Sequence, residues 1–214
     1  MMKTLVSALT LGCILAIPSF AADPKKAKGF LPEPKTFSID TNASQLNWKA
    51  TKVTGAHEGS IKLKNGAFQM FNGELKGAEL VADMNSIDVT DIPRTNSSHA
   101  KLIGHLKSDD FFSVAQNPTA TLKVNKITAL TTPDKDANTH TLEGLMTIKG
   151  ATHPIKFPVK FEAERTQATL SGIATLDRTI WNIKYGSGKF FQNLGDKMIH
   201  DPFTIGFKIL AKSQ

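Results

Sequence analysis

Cysteine is almost absent from this sequence. The one thiol, Cys13, lies in an N-terminal stretch that reads as a secretory leader: Lys3 in a short charged region, an apolar run from Leu5 to Ile17, then Ser19-Phe20-Ala21 with small residues at the cleavage positions. Cleavage after Ala21 leaves a chain with no thiol and no disulfide, so its stability has to come from a core. Leu11-Gly12-Cys13 offers a second route, acylation at Cys13, but Thr10 stands where an aliphatic residue is wanted and the apolar run continues past the cysteine. The leader is too short to span a bilayer, and no later segment approaches the roughly 18 consecutive apolar residues a spanning helix needs. The expectation is a soluble protein exported to the periplasm.

Motifs that carry chemistry are also missing. His99 and His105 are six apart, roughly 120° around a helix axis, so they do not share one metal ion. His57, His140, His153 and His200 are scattered singly, with no HExxH pattern or His/Cys cluster. The acidic run Asp83, Asn85, Asp88, Asp91 fails as a calcium loop at Ile87 and Asp88 and reads as strand plus turn. In Gly186-Ser187-Gly188-Lys189, Ile183 replaces the first glycine of a phosphate loop and Phe190 follows the lysine, which leaves a Gly-rich rim loop. No GxSxG elbow is present. These absences imply no cofactor, no metal and no enzyme; a hydrolase would need a constellation assembled from distant residues.

After the leader, 193 residues remain with 25 basic and 19 acidic side chains, a formal charge of +6 that suits one domain with a basic surface. Export and the lack of any RNP, zinc-finger or helix-turn-helix pattern argue against nucleic acid. Residues 22–35 contain DPKKAKGFLPEPK, rich in proline and lysine, and read as a linker. The domain is expected over 36–213.

Period two dominates that region, placing successive side chains on opposite faces of strands. Ile155, Phe157, Val159 and Phe161 form one row, and Phe203, Ile205, Phe207 and Ile209 another. Weaker rows are Leu46/Trp48/Ala50, Ala78/Leu80/Ala82/Met84 and Ala120/Leu122/Val124. Pro158, lacking a ladder donor, points to an edge, bulge or rim. Asn65-Gly66, Asn72-Gly73 and Lys149-Gly150 read as hairpin turns. About eight antiparallel strands hide their apolar rows either as a sandwich or as a closed barrel. The break in the pattern is a helix capped by Asn96, Ser97 or Ser98, with His99, Leu102, Ile103 and Leu106 on one stripe and Lys101, His105 and Lys107 off it.

Four stretches taken in order resemble the YceI-like family of exported lipocalin-like proteins: FSIDTNASQLNWKATKVTGAHEGSIKL, ADMNSIDVTD, GHLKSDDFFSVAQNPTATLKV and LDRTIWNIKYGSGKFFQNLGDKMIHDPFTIGFKI. They span Phe37 to Ile209. The resemblance implies an all-β fold, an extended antiparallel barrel of about eight strands with one short helix covering one end and a long apolar cavity. It also implies a ligand of polyisoprenoid type, such as a quinone or prenyl phosphate, or another long-chain amphiphile. The HLxSxDFF signature falls on His105, Leu106, Ser108, Asp109, Phe111 and Phe112, and Gly-x-His-x-Gly on Gly55, His57 and Gly59. The long WNIKYGSGKFFQNLGDKMI segment departs from the commoner pattern and bears on rim shape and head-group preference.

The apolar rows contribute Trp48, Met84, Leu122, Phe157, Phe203, Ile205 and Phe207 to the expected ligand-binding set. The helix and the signature add Leu102, His105, Leu106, Phe111 and Phe112, and the glycine-flanked histidine adds His57. His105 reads as a buried, hydrogen-bonded strut or, alternatively, as a contact for a ligand head; Asp109 and Asp110 read as turn-bonding groups. The expectation is a periplasmic binder or carrier of an isoprenoid or similar lipid. Two alternatives stand beside it: an enzyme using His57 or His105 as base, and a structural or stress module without ligand. Transient membrane-surface contact and a dimeric state both stay open.

Overall fold

Alternating apolar and polar side chains give nine antiparallel strands within residues 33–213, the part of the chain that the computed structural model describes. The expected leader and nearly all of the expected linker lie outside the described residues. The strands are β1 (Lys35–Ile39), β2 (Gln45–Lys52), β3 (Gly55–Phe71), β4 (Glu74–Val89), β5 (Thr119–Ala129), β6 (His140–Ile148), β7 (Ala151–Ala163), β8 (Gln167–Asp177) and β9 (Ile199–Ser213). The helix α1 (Ser97–Lys107) lies between β4 and β5.

Nine strands make eight staves of a closed barrel. β1 and β2 both fit between β3 and β9, one beyond the other: β1 pairs with Ala67–Met70 and Ala211–Ser213, and β2 with Gly55–Ile61 and Ile199–Lys208. The break between them is stitched by side chains. Asp40 Oδ1 accepts from the Asn42 and Ala43 amides, its Oδ2 accepts from Lys212 Nζ at 2.7 Å, and Ser44 Oγ accepts from the Leu210 amide. The other staves follow in chain order, so no sheet edge runs the length of the barrel.

Turn chemistry explains two of the hairpins. Asn72-Gly73 and Lys149-Gly150 are two-residue loops with positive φ at both positions, which matches the right-handed twist of the flanking strands. Asn65-Gly66, expected as a third turn, lies instead inside β3 at a register shift against β4. A Cβ on Gly66 would sit 2.6 Å from the Glu79 carbonyl oxygen, so this glycine permits close strand approach where the long β3 bends. Pro158 falls just outside the stretch of β7 paired with β8, Lys160–Ala163, where its missing N–H breaks no rung between those strands.

Asn96 caps α1 by accepting the Ser98 amide at 2.9 Å. The helix turns Leu106 and His99 inward, and His99 Nε2 lies 3.0 Å from the Val89 carbonyl oxygen and 3.2 Å from Asp88 Oδ1. Helix α1, the β2–β3 and β6–β7 turns and the long β8–β9 connection all lie at one end of the staves. At the opposite end Phe37, Phe68, Met70 and Phe161 are buried and plug the barrel.

Candidate ligand-binding lumen

Between that plug and α1 the inward rows do not meet, and they leave a cavity of about 160 Å³. Of the expected residues, β2 supplies Trp48, β4 Met84, β5 Leu122 and β7 Phe157. Strand β9 supplies Phe203, Ile205 and Phe207, while Leu106, Phe111 and Phe112 close the helical end. Ten of the thirteen are therefore brought together around one space.

Leu102, His57 and His105 do not border it. Leu102 is half-buried against the core beside Leu106. His57 is on a period-two row with Ile61, which does line the lumen, but lies at the end of β3, where its Nδ1 is 2.8 Å from Asp91 Oδ2. Asp91 Oδ1 also accepts the Glu58 amide at 3.0 Å. Burial pushes the Asp91 carboxyl up, but that amide and His57 outweigh it and hold the group below its ordinary value. His105 is a strut, half-exposed rather than buried. Its Nε2 lies 3.0 Å from Asp110 Oδ2, and its ring packs edge-on against Phe111 and Tyr185 at 4.9 and 4.6 Å. Neither histidine reaches the lumen, so neither is placed to act as a base on something held there.

The glycines of Gly-x-His-x-Gly have steric roles. Gly55 turns the β2–β3 hairpin at φ 152°, and a Cβ on Gly59 would fall 1.9 Å from the Asp88 carbonyl oxygen and 2.7 Å from the Trp48 indole. That proximity lets Trp48 Nε1 donate to the same carbonyl at 3.1 Å and sends the ring into the barrel with its polar atom satisfied.

Sequence reasoning missed Arg178, which follows β8 in a short 3-10 turn, Arg178–Trp181, and borders the lumen. Its five N–H donors are all taken. Nε donates to the His200 carbonyl, Nη1 to those of Ile183 and Tyr185, and Nη2 to that of Ile199 and to Asp201 Oδ1. Burial pushes the guanidinium down from its ordinary value, while Asp201 and Asp177 oppose that shift. Its local sequence, Leu176-Asp177-Arg178-Thr179-Ile180-Trp181, carries no signal of these partners.

Lys189 of the glycine-rich loop is also committed, 2.7 Å from Asp177 Oδ2 and 3.5 Å from Asp201 Oδ2. Both cations therefore anchor the β8–β9 connection to the barrel. The lumen itself is apolar apart from Thr121 and the satisfied Trp48 and Arg178 groups. Among the described residues no group of three or more His, Cys, Asp or Glu side chains is arranged to hold a metal, and no helix is long and apolar enough to cross a membrane.

A closed antiparallel barrel with an apolar lumen under a helical cap defines a lipocalin-like architecture built around one interior space. The YceI-like domain model matches residues 37–211, and the chain belongs to that family. A UPF0312 protein of Pseudomonas paraeruginosa is 26% identical over 136 residues, covering 60% of this chain and 68% of its own. BcnA of Burkholderia cenocepacia superposes with a TM-score of 0.63 at 19% identity, over 81% of this chain and 99% of its own. A polyisoprenoid-binding domain from Saccharophagus degradans superposes with a TM-score of 0.56 at 16% identity, over 83% and 98%. At these identities the two structures share the fold.

Proposed function

We propose that this protein is a periplasmic binder or carrier that holds the apolar tail of a polyisoprenoid or comparable long-chain amphiphile in the barrel lumen. The observation that carries the reading is the lumen lining: an apolar wall whose one guanidinium has no donor to spare. Such a wall selects for hydrocarbon and leaves a polar head outside or at the rim. The fold shared with a polyisoprenoid-binding domain supports the same ligand class. Burying a methylene contributes about 0.8 kcal/mol, so about ten carbons bring on the order of 8 kcal/mol before ordering costs, enough for affinity without a dense polar site.

The lumen volume sets a condition on entry. About 160 Å³ is close to a cavity that holds a benzene-sized group, and below the roughly 300–1,000 Å³ of ordinary ligand pockets. A long tail therefore enters by displacing side chains, and the flexible thioethers of Met84 and Met146 together with Phe111 and Phe112 at the helical end are the lining groups best able to yield.

Mass spectrometry of organic extracts from protein purified out of its native envelope tests the reading. A single long-chain species near one per protein is expected. Extracts without lipid, from protein that also fails to take up isoprenoid or fatty chains in solution, would reject it.

A further inference from the structure

Large apolar side chains exposed on this barrel are concentrated at one end. Of seven such residues among those described, five lie at the α1 end: Val53 in the β2–β3 turn, and Ile180, Tyr185, Phe190 and Phe191 in the β8–β9 connection. Phe190 and Phe191 are each nearly half exposed. The two segments touch, because the Val53 amide donates to the Met198 carbonyl and Met198 packs over Gly188.

These side chains stand on a fixed base. Ser187 is fully buried and its carbonyl accepts both the Phe190 and Phe191 amides, while Arg178 holds the Ile183 and Tyr185 carbonyls. The strand and turn hydrogen bonds therefore pin the backbone and leave the rings outside. The same connection is basic. Lys184 Nζ lies 4.9 Å above the Phe190 ring, Lys197 is exposed, and Asp196 is the one acid between residues 184 and 198. The nearby carboxylates Asp177 and Asp201 are already paired with Lys189 and Arg178.

We propose that the 184–198 connection, with Val53 beside it, docks the α1 end of the barrel onto an anionic lipid bilayer. Exposed aromatic rings on a hydrogen-bonded loop that also carries Lys184 and Lys197 match the headgroup boundary, where apolar rings bury and lysines meet negative lipid. Its position also fits: Tyr185 packs against His105 of α1, so the docked loop adjoins the helix that closes the lumen. This inference rests on the tail-binding reading for its purpose, since a tail leaving a bilayer has to enter near the surface that faces it.

The test is partitioning of the mature protein onto sedimenting vesicles of phosphatidylcholine with and without phosphatidylglycerol, at low and high salt. Wild-type protein is expected to bind the mixed vesicles, to release with salt and to bind pure phosphatidylcholine poorly. Phe190→Ser/Phe191→Ser should lower the partition coefficient about tenfold or more on the mixed vesicles. Lys184→Ser/Lys197→Ser should lower it about fivefold per lysine there, and little on phosphatidylcholine. Thermal melts establish that both variants are folded, and a soluble fluorescent fatty acid reads lumen binding separately.

Unchanged partitioning of both folded variants overturns the proposal, as does wild-type protein that binds no vesicle. A sedimentation coefficient that falls in the phenylalanine variant, with no vesicle binding by either protein, makes the patch a self-association surface and overturns it as well. Lumen binding without vesicle binding refutes docking alone; vesicle binding through Phe190 and Phe191 without lumen binding refutes the carrier reading alone.

Discussion

Ile205→Trp separates an occupied lumen from a packed core. Ile205 on β9 pairs with Trp48 on β2 and with Ala174 on β8, and all three border the cavity. The indole adds about six heavy atoms, and in a closely packed interior such enlargement costs roughly 1–3 kcal/mol. Here the small Ala174 side chain and about 160 Å³ of space lie in its way instead of fixed atoms. The expected cost is under about 1 kcal/mol, which for a domain of this size lowers Tm by no more than about 2–4 °C.

Binding should suffer far more. If the indole takes the place of about five methylenes, long chains lose on the order of 4 kcal/mol, near a thousandfold in Kd, while short chains lose little. A thermal melt of delipidated protein and an affinity series over chain length read both quantities. A melt lowered by more than about 10 °C, with an unaltered chain-length series, would refute the reasoning, because it would mean that Ile205 borders permanent core.

Leu106→Asp puts a carboxylate on the buried face of α1 against the lumen and should destabilise the barrel by several kcal/mol, whereas Lys101→Asp on the exposed face should change it by less than about 0.5 kcal/mol; equal effects in denaturant melts would mean that α1 does not seal the end. Asp177→Asn tests the Lys189 anchor, since the amide oxygen keeps the turn cap on Thr179 while both the charge and the Oδ2 acceptor for Lys189 are lost. Burial pushes the Asp177 carboxyl up, but Lys189 and Thr179 outweigh it and hold the group below its ordinary 3.8, so its stabilisation is present above that value and is lost as pH falls through the lower folded value. Lys189 is raised above 10.5 chiefly by the hydrogen bond to Asp177, so its share is complete below 10.5 and is lost as pH rises past the folded value. Stability profiles should therefore flatten at both extremes in Asp177→Asn, and wild-type curvature retained on both sides would count against the pair.

Much of this architecture is legible in the sequence because strand periodicity is a local property. The rows through Phe157 and Phe203 face inward as their spacing requires, and Asn96 starts the helix where an Asx residue precedes the apolar stripe. Asn65-Gly66 misleads because a glycine that admits a neighbouring strand and one that turns a chain look alike until the neighbour is known. Period two also fixes the face of His57 but not its depth; the strand ends there, and Asp91 holds the ring at the rim. For His105, helical geometry already put the ring off the apolar stripe, and the structure agrees with that spacing more than with a place in the lumen. Arg178 was invisible for a different reason. Its acceptors are four carbonyls and a carboxylate drawn from positions 183 to 201, and nothing in LDRTIW records that the chain returns there.

The stave shared by β1 and β2 ties both ends of the chain to one seam. Asp40 and Lys212 meet across 172 positions, and Ser44 and Leu210 across 166. Until β9 is in place, the β2 side of the sheet and the β8 side are both open edges, so closure is the most non-local event in this fold and belongs among slowly formed contacts. A chain shortened by its last strand would keep most of its hairpins yet present two unpaired edges to other molecules. Proteolytic trimming at the C-terminus should therefore convert the closed barrel into an aggregating species long before it removes much of the secondary structure.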